Sequence, residues 1–256
     1  MLSYAEYGTP GDTPVMIVHG LYGSGRNWSV IAKRLSAQAH VITVDLRNHG
    51  HSAHTDTHSY MDMANDLDAL ISHIGGTVHI VGHSMGGKAT MALALTKPAQ
   101  IDRMIVADIA PVTYTHSQLP YIHAMKAVDL TQVTRRSEAE AQLAALGVEP
   151  ALCSFFTQSL DIKEQKWRLN LTTLEAEMDK IMSFPDLGGT FENPVLFLTG
   201  AQSDYVLPEH RDQIKAMFPQ SRFAKLNGAG HWLHADKPRA FEEAVIAFFK
   251  LGQPEP

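Results

Sequence analysis

The residues with the clearest chemical potential surround Ser84, in the segment Gly82-His83-Ser84-Met85-Gly86. In the pattern Gly-x-Ser-x-Gly, a serine at the turn from a buried strand into a helix is exposed at the edge of the sheet and can act as a nucleophile. The apolar, β-branched run from Thr77 to Val81 suits such a strand. A run of helix formers follows Gly87 and stops before Pro98. The pattern predicts a nucleophilic serine, and an ordinary strand-to-helix turn is the alternative.

A serine hydroxyl becomes a strong nucleophile only beside a base, and His231 is the best candidate among fourteen histidines. It follows the flexible turn Asn227-Gly228-Ala229-Gly230 after the last predicted strand and precedes the last predicted helix. This position lies at the carboxyl edge of the predicted sheet, the same edge as Ser84. His234 is the nearest rival, but it lacks the preceding Gly-x-Gly turn. His83, next to the serine, is expected to pack within the turn.

Attack on a carbonyl also needs backbone donors for the oxyanion. One donor is the amide that follows the nucleophile, here Met85, and the other comes from the loop after an early strand. That loop reads His19-Gly20-Leu21-Tyr22-Gly23-Ser24. We assign the second donor to the amide of Leu21, with Tyr22 as the alternative. The loop lacks the Gly-Lys-Ser/Thr ending of a P-loop, which disfavours a phosphate-binding role.

Two pairs of histidines suggest a metal site only weakly. His49 and His51 lie in a predicted loop with no evident third ligand. His79 and His83 lie on a predicted strand and its turn, where a spacing of four does not place both on one helical face. We expect no metal site, and the predicted chemistry needs no cofactor.

These candidate residues depend on strands and helices that alternate over residues 1 to 108. Apolar runs indicate four strands, and helical spacing indicates a helix from Tyr60 to Ile74 between the second and the third. The runs are Val15 to His19, Val41 to Asp45, Thr77 to Val81 and Arg103 to Asp108. Such alternation predicts a mostly parallel central sheet with helices on both faces.

The alternation stops after Pro111, and the chain is predicted to be largely helical to about Phe184. Strand signals then return at Pro194 to Gly200 and Arg222 to Leu226, with helices at Pro208 to Phe218 and Pro238 to Lys250. We therefore predict an α/β core of residues 1–110 and 187–256, interrupted by a helical cap of residues 111–186. The cap is expected to cover the site, because ligands bind beyond the carboxyl ends of parallel strands. A helical extension packed elsewhere is the alternative.

Composition limits the classes of function. The net charge is −6, the pI is near 6.1, and 45% of residues are hydrophobic, which is typical of a globular protein and unlike a basic nucleic-acid binder. The single cysteine, Cys153, cannot form an intramolecular disulfide, which fits a reducing compartment. No secretory signal or bilayer-length apolar run is evident, so we expect a cytoplasmic protein without a membrane span. Gly252 to Pro256 are expected to fray.

Taken together, the motifs resemble those of the α/β-hydrolases and, more narrowly, of the bacterial YbfF-type esterases. The resemblance covers nearly the whole length of the chain, and the order and spacing of its motifs are specific. It implies an α/β-hydrolase fold with a small inserted helical cap and hydrolysis of acyl esters, with acyl-thioesters as a further substrate class. The segments that carry it are residues 19–24, 45–52, 82–88, 108–112 and 228–238.

The acid that would orient His231 has two candidates. Most α/β-hydrolases carry it three residues beyond the glycine that ends the strand after the cap, which here is Ser203, and Asp204 is one place later. Members of the resembled family use an acid at the position of Asp108, followed by the same Ile-Ala-Pro-Val. The resemblance thus implies Asp108, with Asp204 as the alternative. Each also has a structural reading, as a residue that caps a strand end or the next helix.

The sequence therefore predicts a serine carboxylic-ester hydrolase that acts on a small-molecule acyl ester through an acyl-enzyme on Ser84. A carbon–carbon bond hydrolase of the ring-cleavage type is one alternative, and a non-catalytic small-molecule binder is another. The substrate itself and the oligomeric state do not follow from the residues. Some apolar residues of the predicted cap could line an acyl pocket, although such residues are more often core: Phe155, Phe156, Trp167, Met178 and Met182.

Overall fold

The computed structural model describes residues 1–11 and 13–252, so the expected fraying beyond Gly252 lies outside the described residues. The strands are β1 (Ser3–Tyr7), β2 (Val15–Val18), β3 (Val41–Asp45), β4 (Val78–His83), β5 (Ile101–Ala107), β6 (Leu160–Asp161), β7 (Lys166–Trp167), β8 (Val195–Gly200) and β9 (Ser221–Leu226). The helices are α1 (Ser29–Leu35), α2 (Tyr60–Ile74), α3 (Met85–Thr96), α4 (Leu119–Ala127), α5 (Arg136–Ala145), α6 (Pro150–Thr157), α7 (Leu171–Ala176), α8 (Met178–Met182), α9 (Arg211–Met217), α10 (Leu233–Asp236) and α11 (Pro238–Phe249).

Seven strands form one sheet in the order β1-β3-β2-β4-β5-β8-β9. All neighbouring pairs are parallel except β1 and β3, which are antiparallel. The prediction of a mostly parallel sheet is confirmed. The strand β1 was not predicted, because it is an edge strand whose five residues are all partly or fully exposed and so lacks the apolar run of the other strands.

The central strands are buried because helices cover both faces of the sheet. Every residue of β2, β3 and β4 is buried. Alternate side chains enter different cores: Met16 packs in the core that contains α2 and α3, whereas Ile17 packs in the core that contains α1 and α11. This two-sided burial explains why the strands read as continuous apolar runs in the sequence.

Residues 111–186 form an insertion between two strands that are direct neighbours in the sheet. β5 ends at Ala107, and β8, which pairs with it in parallel, begins at Val195. Between them lie the five helices α4–α8 and the short antiparallel hairpin of β6 and β7. The chain thus leaves the sheet at the end of β5 and returns to the adjacent position, so the insertion does not interrupt the pairing of the sheet. We call these residues the inserted segment.

The turn from β4 into α3 leaves no space for a side chain at Gly86. A Cβ atom there would lie 2.4 Å from the carbonyl oxygen of His19 and 2.6 Å from that of Val18. Both oxygens belong to backbone, which cannot move aside like a flexible side chain. Contact between the start of α3 and the end of β2 is therefore possible only with glycine at this position.

We expect Gly86→Ala to destabilise the protein by about 3 kcal/mol, because the added methyl group must push β2 and α3 apart. The measurement is the free energy of unfolding by denaturant titration. Gly11→Ala is the control, since a Cβ atom there meets its nearest neighbour only at 3.9 Å. Equal stability of the two variants would contradict the prediction.

Candidate active site

Ser84 lies at the tip of the sharp turn between β4 and α3. Its backbone angles are φ 53° and ψ −122°, a region that residues with a side chain seldom adopt. The amide of Ser84 donates a hydrogen bond to the carbonyl oxygen of Ala107 at 3.0 Å. A Cβ atom at Gly82 would lie only 2.5 Å from the Thr90 hydroxyl oxygen, so the strand and the helix are packed too closely for any other residue. This packing holds the serine in its strained conformation.

His231 is within hydrogen-bond distance of the serine. Its Nε2 atom is 3.0 Å from Ser84 Oγ, although the two residues are 147 positions apart in the chain. The imidazole stacks on the ring of Tyr205, with centroids 4.0 Å apart and an interplanar angle of 19°. The loop that carries His231 is held in place by His83, whose Nε2 donates a hydrogen bond to the carbonyl oxygen of His231 at 2.9 Å. His83 is buried within the turn, as the sequence predicted.

The other imidazole nitrogen of His231 contacts Asp108. Nδ1 lies 2.7 Å from Asp108 Oδ2, and the Asp108 side chain is fully buried. The same carboxylate accepts a hydrogen bond from the amide of Gly200 at 3.0 Å and another from the Ser203 hydroxyl. With three donors, the buried carboxylate is well accommodated as an anion.

The alternative acid, Asp204, is not brought to His231. No hydrogen bond joins these two residues among residues 1–11 and 13–252, and the nitrogen that Asp204 would need to contact is already bonded to Asp108. Its neighbour Ser203 faces the site and donates to Asp108. The loop after β8 therefore contributes a hydroxyl to this cluster, and the carboxylate comes from the end of β5.

The two residues whose amides are predicted to bind an oxyanion both line the same cavity as Ser84. Leu21 and Met85 line it, and within the described part of the chain neither amide donates a hydrogen bond to another protein group. The amide of Tyr22, the alternative to Leu21, is engaged elsewhere: it donates to His49 Nε2 at 3.2 Å. The amide of Leu21 is thus available to bind an oxyanion, whereas the amide of Tyr22 is already hydrogen-bonded to His49.

Three buried histidines, His19, His49 and His58, lie next to one another at the loop of residues 19–24, and the sequence did not predict that they support it. The rings of His19 and His49 are 5.1 Å apart, and those of His49 and His58 are 5.4 Å apart. In His19, Nδ1 donates to the Gly20 carbonyl, which leaves Nε2 to accept from the amide of Leu46. His49 is arranged in the same way: Nδ1 donates to the Arg47 carbonyl, and Nε2 accepts from the amide of Tyr22 in the loop.

Burial keeps these imidazoles neutral. It lowers the pKa of His19 and His49, and it lowers the pKa of His58 to about 3. A neutral ring keeps one nitrogen free to accept, whereas a protonated ring would be a donor at both nitrogens. His19 and His49 therefore act as fixed acceptors for backbone amides. Local sequence does not indicate this role, because the hydrogen-bond partners of these rings lie up to 27 residues away in the chain.

The other histidines that the sequence offers as ligands or as a base each contact a different partner. His79 stacks on Phe249, and the exposed His51 contacts Arg168. His234, the rival base, stacks on Trp28 with centroids 3.9 Å apart. In residues 1–11 and 13–252, no group of three or more His, Cys, Asp or Glu side chains is arranged to hold a metal ion.

The cavity above Ser84 has a volume of about 310 Å³ and is lined mainly by apolar and aromatic side chains. Residues of the sheet loops form one side, and residues of the inserted segment form the other. Three apolar residues named from the sequence line it: Phe155, Phe156 and Met182. Two do not, because Trp167 donates to the Met125 carbonyl and Met178 is buried in the core. A cavity of this size and lining suits a small, largely apolar molecule.

Comparison with known proteins agrees with the fold. The model of the alpha/beta hydrolase family matches residues 15–244. The chain is 40% identical to the sn-1-specific diacylglycerol lipase ABHD11 of Mus musculus, over 91% of this chain and 80% of that protein. It is 36% identical to the esterase YbfF of Escherichia coli (strain K12), over 91% of this chain and 92% of that protein.

A solved structure of a marine microorganism esterase superimposes with a TM-score of 0.91 at 37% identity, covering 96% of this chain and 98% of the other. The chain belongs to the α/β-hydrolase family, and its resemblance to the YbfF-type esterases is confirmed. The relatives named as esterases and lipases support ester hydrolysis as its class of reaction. Among the described residues, no helix is both long enough and apolar enough to cross a membrane.

The free energy of unfolding of the protein is expected to depend on pH through His234. Burial, followed by the nearby His231, lowers the pKa of His234 from 6.5 to about 3. In the unfolded chain the imidazole has its ordinary pKa of 6.5. At a pH between about 3 and 6.5, the unfolded state therefore binds a proton that the folded state does not bind. The contribution of His234 to the free energy of unfolding is therefore complete above pH 6.5 and is lost as the pH falls toward 3.

We expect His234→Phe, which keeps an aromatic ring against Trp28 but cannot titrate, to lose less stability in acid than the wild type. Between pH 8 and pH 5 the difference should be about 1 kcal/mol, roughly half of the full linkage, because the ring is partly exposed. Denaturant titration at both pH values measures it. His73→Phe, at an exposed position of α2, is the control. If both variants lost as much stability as the wild type, the role given to His234 would be wrong.

Proposed function

We propose that the protein is a serine carboxylic-ester hydrolase that forms an acyl-enzyme on Ser84. The observation that carries this proposal is the hydrogen-bonded line from Ser84 Oγ to His231 Nε2, at 3.0 Å, and from His231 Nδ1 to Asp108 Oδ2, at 2.7 Å. A nucleophile, a base and an acid in this order are the arrangement by which serine hydrolases activate a hydroxyl. The named esterase and lipase relatives support the same class of reaction.

In the first step, Ser84 Oγ attacks the carbonyl carbon of the ester while its proton passes to His231 Nε2. The tetrahedral intermediate then collapses, and the alcohol leaves with the proton that the imidazole returns. In the second step, a water molecule gives its proton to the same nitrogen and attacks the acyl-enzyme. The carboxylic acid leaves, and Ser84 recovers its proton.

Asp108 holds His231 in the tautomer that this sequence needs. With Nδ1–H donated to the carboxylate, the lone pair of Nε2 faces the serine. The negative charge of Asp108 also stabilises the imidazolium that forms in each step. Because the carboxylate is buried and held by the Gly200 amide and the Ser203 hydroxyl, it does not need to reorganise as the charge develops.

The amides of Leu21 and Met85 receive the negative charge that develops on the carbonyl oxygen. Each such donor lowers the barrier by about 3 kcal/mol in enzymes of this type. Their availability and their place beside Ser84 support the assignment. His49 contributes indirectly, because it binds the next amide of the loop, that of Tyr22.

We propose that the inserted segment is the cap of this enzyme and that the cavity beneath it binds the acyl ester. Phe155, Phe156 and Met182 reach the cavity from that segment, which supports a covering role. The proposed substrate is a small-molecule ester. An acyl-thioester would follow the same two steps, with a thiol leaving in place of the alcohol and taking the proton from His231. Assays of p-nitrophenyl esters beside a vinylogous diketone distinguish this function from carbon–carbon bond hydrolysis.

We expect Ser84→Ala to lower kcat toward p-nitrophenyl esters by about 10⁴ or more, because the acyl-enzyme can no longer form. A fluorophosphonate probe should label the wild type and leave the variant unlabelled. Ser72→Ala, at an exposed position of α2, is the control and should behave as the wild type. Substantial esterase activity in the Ser84 variant would exclude the mechanism, and an unlabelled wild type would favour a non-catalytic binder.

We expect Asp108→Asn to lower kcat by about 10⁴, because an amide would present a donor to Nδ1 and favour the wrong imidazole tautomer. Asp204→Asn should change kcat by less than about threefold, since no contact with His231 is lost. Both variants are measured with p-nitrophenyl esters after thermal unfolding has shown that they are folded. A larger loss in the Asp204 variant would reverse the assignment of the acid.

A further inference from the structure

Lys88 is a buried basic residue that the proposed mechanism does not use. It lies one helical turn after Ser84 on α3, and only 1% of it is exposed. Lysine is almost never buried to this extent without a carboxylate partner, yet no salt bridge to Lys88 is formed within the described residues. Burial lowers the pKa of its ammonium group to about 7. Its retention in the core calls for compensating contacts.

The contacts are three backbone carbonyls. Lys88 Nζ donates to the oxygen of Val112 at 2.7 Å, to that of Met182 at 3.0 Å and to that of Ser183 at 2.7 Å. An ammonium group has three N–H donors, so each donor has one acceptor. The same nitrogen lies 4.7 Å from the centroid of the Tyr114 ring, close enough for a favourable cation–π interaction.

These carbonyls lie at the two ends of the inserted segment. Val112 follows the end of β5, where the chain leaves the sheet. Met182 is the last residue of α8 and Ser183 follows it, at the point where the chain returns toward β8. The two ends are also joined to each other, because the amide of Tyr114 donates to the Met182 carbonyl at 2.9 Å. One side chain on α3 therefore binds both connections of the inserted segment.

The connections that Lys88 binds also form part of the cavity wall. Tyr114 and Met182 line the cavity together with Ser84 and His231. The elbow and the imidazole are held by the sheet and by Asp108, whereas the connections of the inserted segment are held by Lys88. One contact joins the two groups, because the Tyr114 hydroxyl donates to the carbonyl oxygen of Tyr205, whose ring stacks on His231.

We propose that Lys88 is a positioning residue that fastens both connections of the inserted segment to the helix of the nucleophile and thereby sets the cavity wall that receives the longer acyl groups. This inference rests on the proposed ester hydrolysis. It makes a specific expectation: an acetyl group occupies only the space next to Ser84, whereas a longer acyl group must also contact the wall. Loss of the fastening should therefore affect the two substrates differently.

The test compares Lys88→Met with Lys97→Met. Methionine keeps most of the apolar stem and removes the donors, and the control makes the same change at an exposed lysine just after α3. Lys88→Met should raise KM for p-nitrophenyl octanoate by about tenfold, with less than about a threefold change in kcat for p-nitrophenyl acetate. Fluorophosphonate labelling of Ser84 should proceed at a similar rate in wild type and both variants.

Hydrogen exchange provides a measurement that needs no substrate. In Lys88→Met, the amides of residues 112–114 and 182–184 should exchange at least about tenfold faster than in the control, while those of β4 stay unchanged. Hydrogen exchange tests whether Lys88 holds the two connections even if the wild type has no esterase activity. In that case the proposed function would be wrong, but the role of Lys88 would still be tested. If Lys88→Met does not fold, Lys88→Gln, with two N–H donors on a neutral side chain, is measured by the same criteria.

The proposal is overturned if exchange at the two connections matches that of the control. It is also overturned if both esters lose activity by the same factor, since that would indicate a general effect on the protein and not a role in the wall. Faster exchange at the connections together with a rise in KM confined to the longer ester supports it.

Discussion

The buried carboxylate of Asp108 is the constraint on which the arrangement of the site depends. An ionised carboxylate removed from water is costly unless donors surround it, and this one receives hydrogen bonds from the Gly200 amide, the Ser203 hydroxyl and His231 Nδ1. These donors belong to two loops that are 92 to 123 residues away in the chain. Hydrogen bonds to this one carboxylate thus join the segments that follow β5, β8 and β9 next to the serine.

The elbow supplies the second fixed point. Ser84 keeps a positive φ of 53° because glycines on both sides allow the strand and the helix to approach closely. Below the neighbouring loop, neutral imidazoles accept hydrogen bonds from the amides of Tyr22 and Leu46. The structure thus uses histidine in two ways: His231 faces the cavity and the serine, whereas His19 and His49 are buried acceptors that hold backbone in place. Lys88 on α3 has a comparable role toward the inserted segment, because its three donors bind three carbonyls of that segment.

Much of this could be predicted from local sequence patterns. The apolar runs predicted the parallel strands, because burial on both faces leaves a continuous signal. Helical spacing predicted α2 with both of its ends, and the glycine pattern around Ser84 predicted the elbow. The edge strand β1 was missed, since its exposed residues carry no such signal. The choice of Asp108 over Asp204 came from the family resemblance, because each residue follows a strand and neither has a local feature that distinguishes it.

By itself, the sequence determined the class of fold, the place of the turn that carries Ser84 and the loop that carries His231, since periodicity and turn chemistry are properties of neighbouring residues. Only the tertiary structure decided which acid meets the imidazole, which amide of the loop after β2 remains available, and where the donors of Lys88 go. Each of those outcomes is a hydrogen bond between groups far apart in the chain. Such partners are chosen when packing brings segments together, and no local pattern of residues encodes that choice.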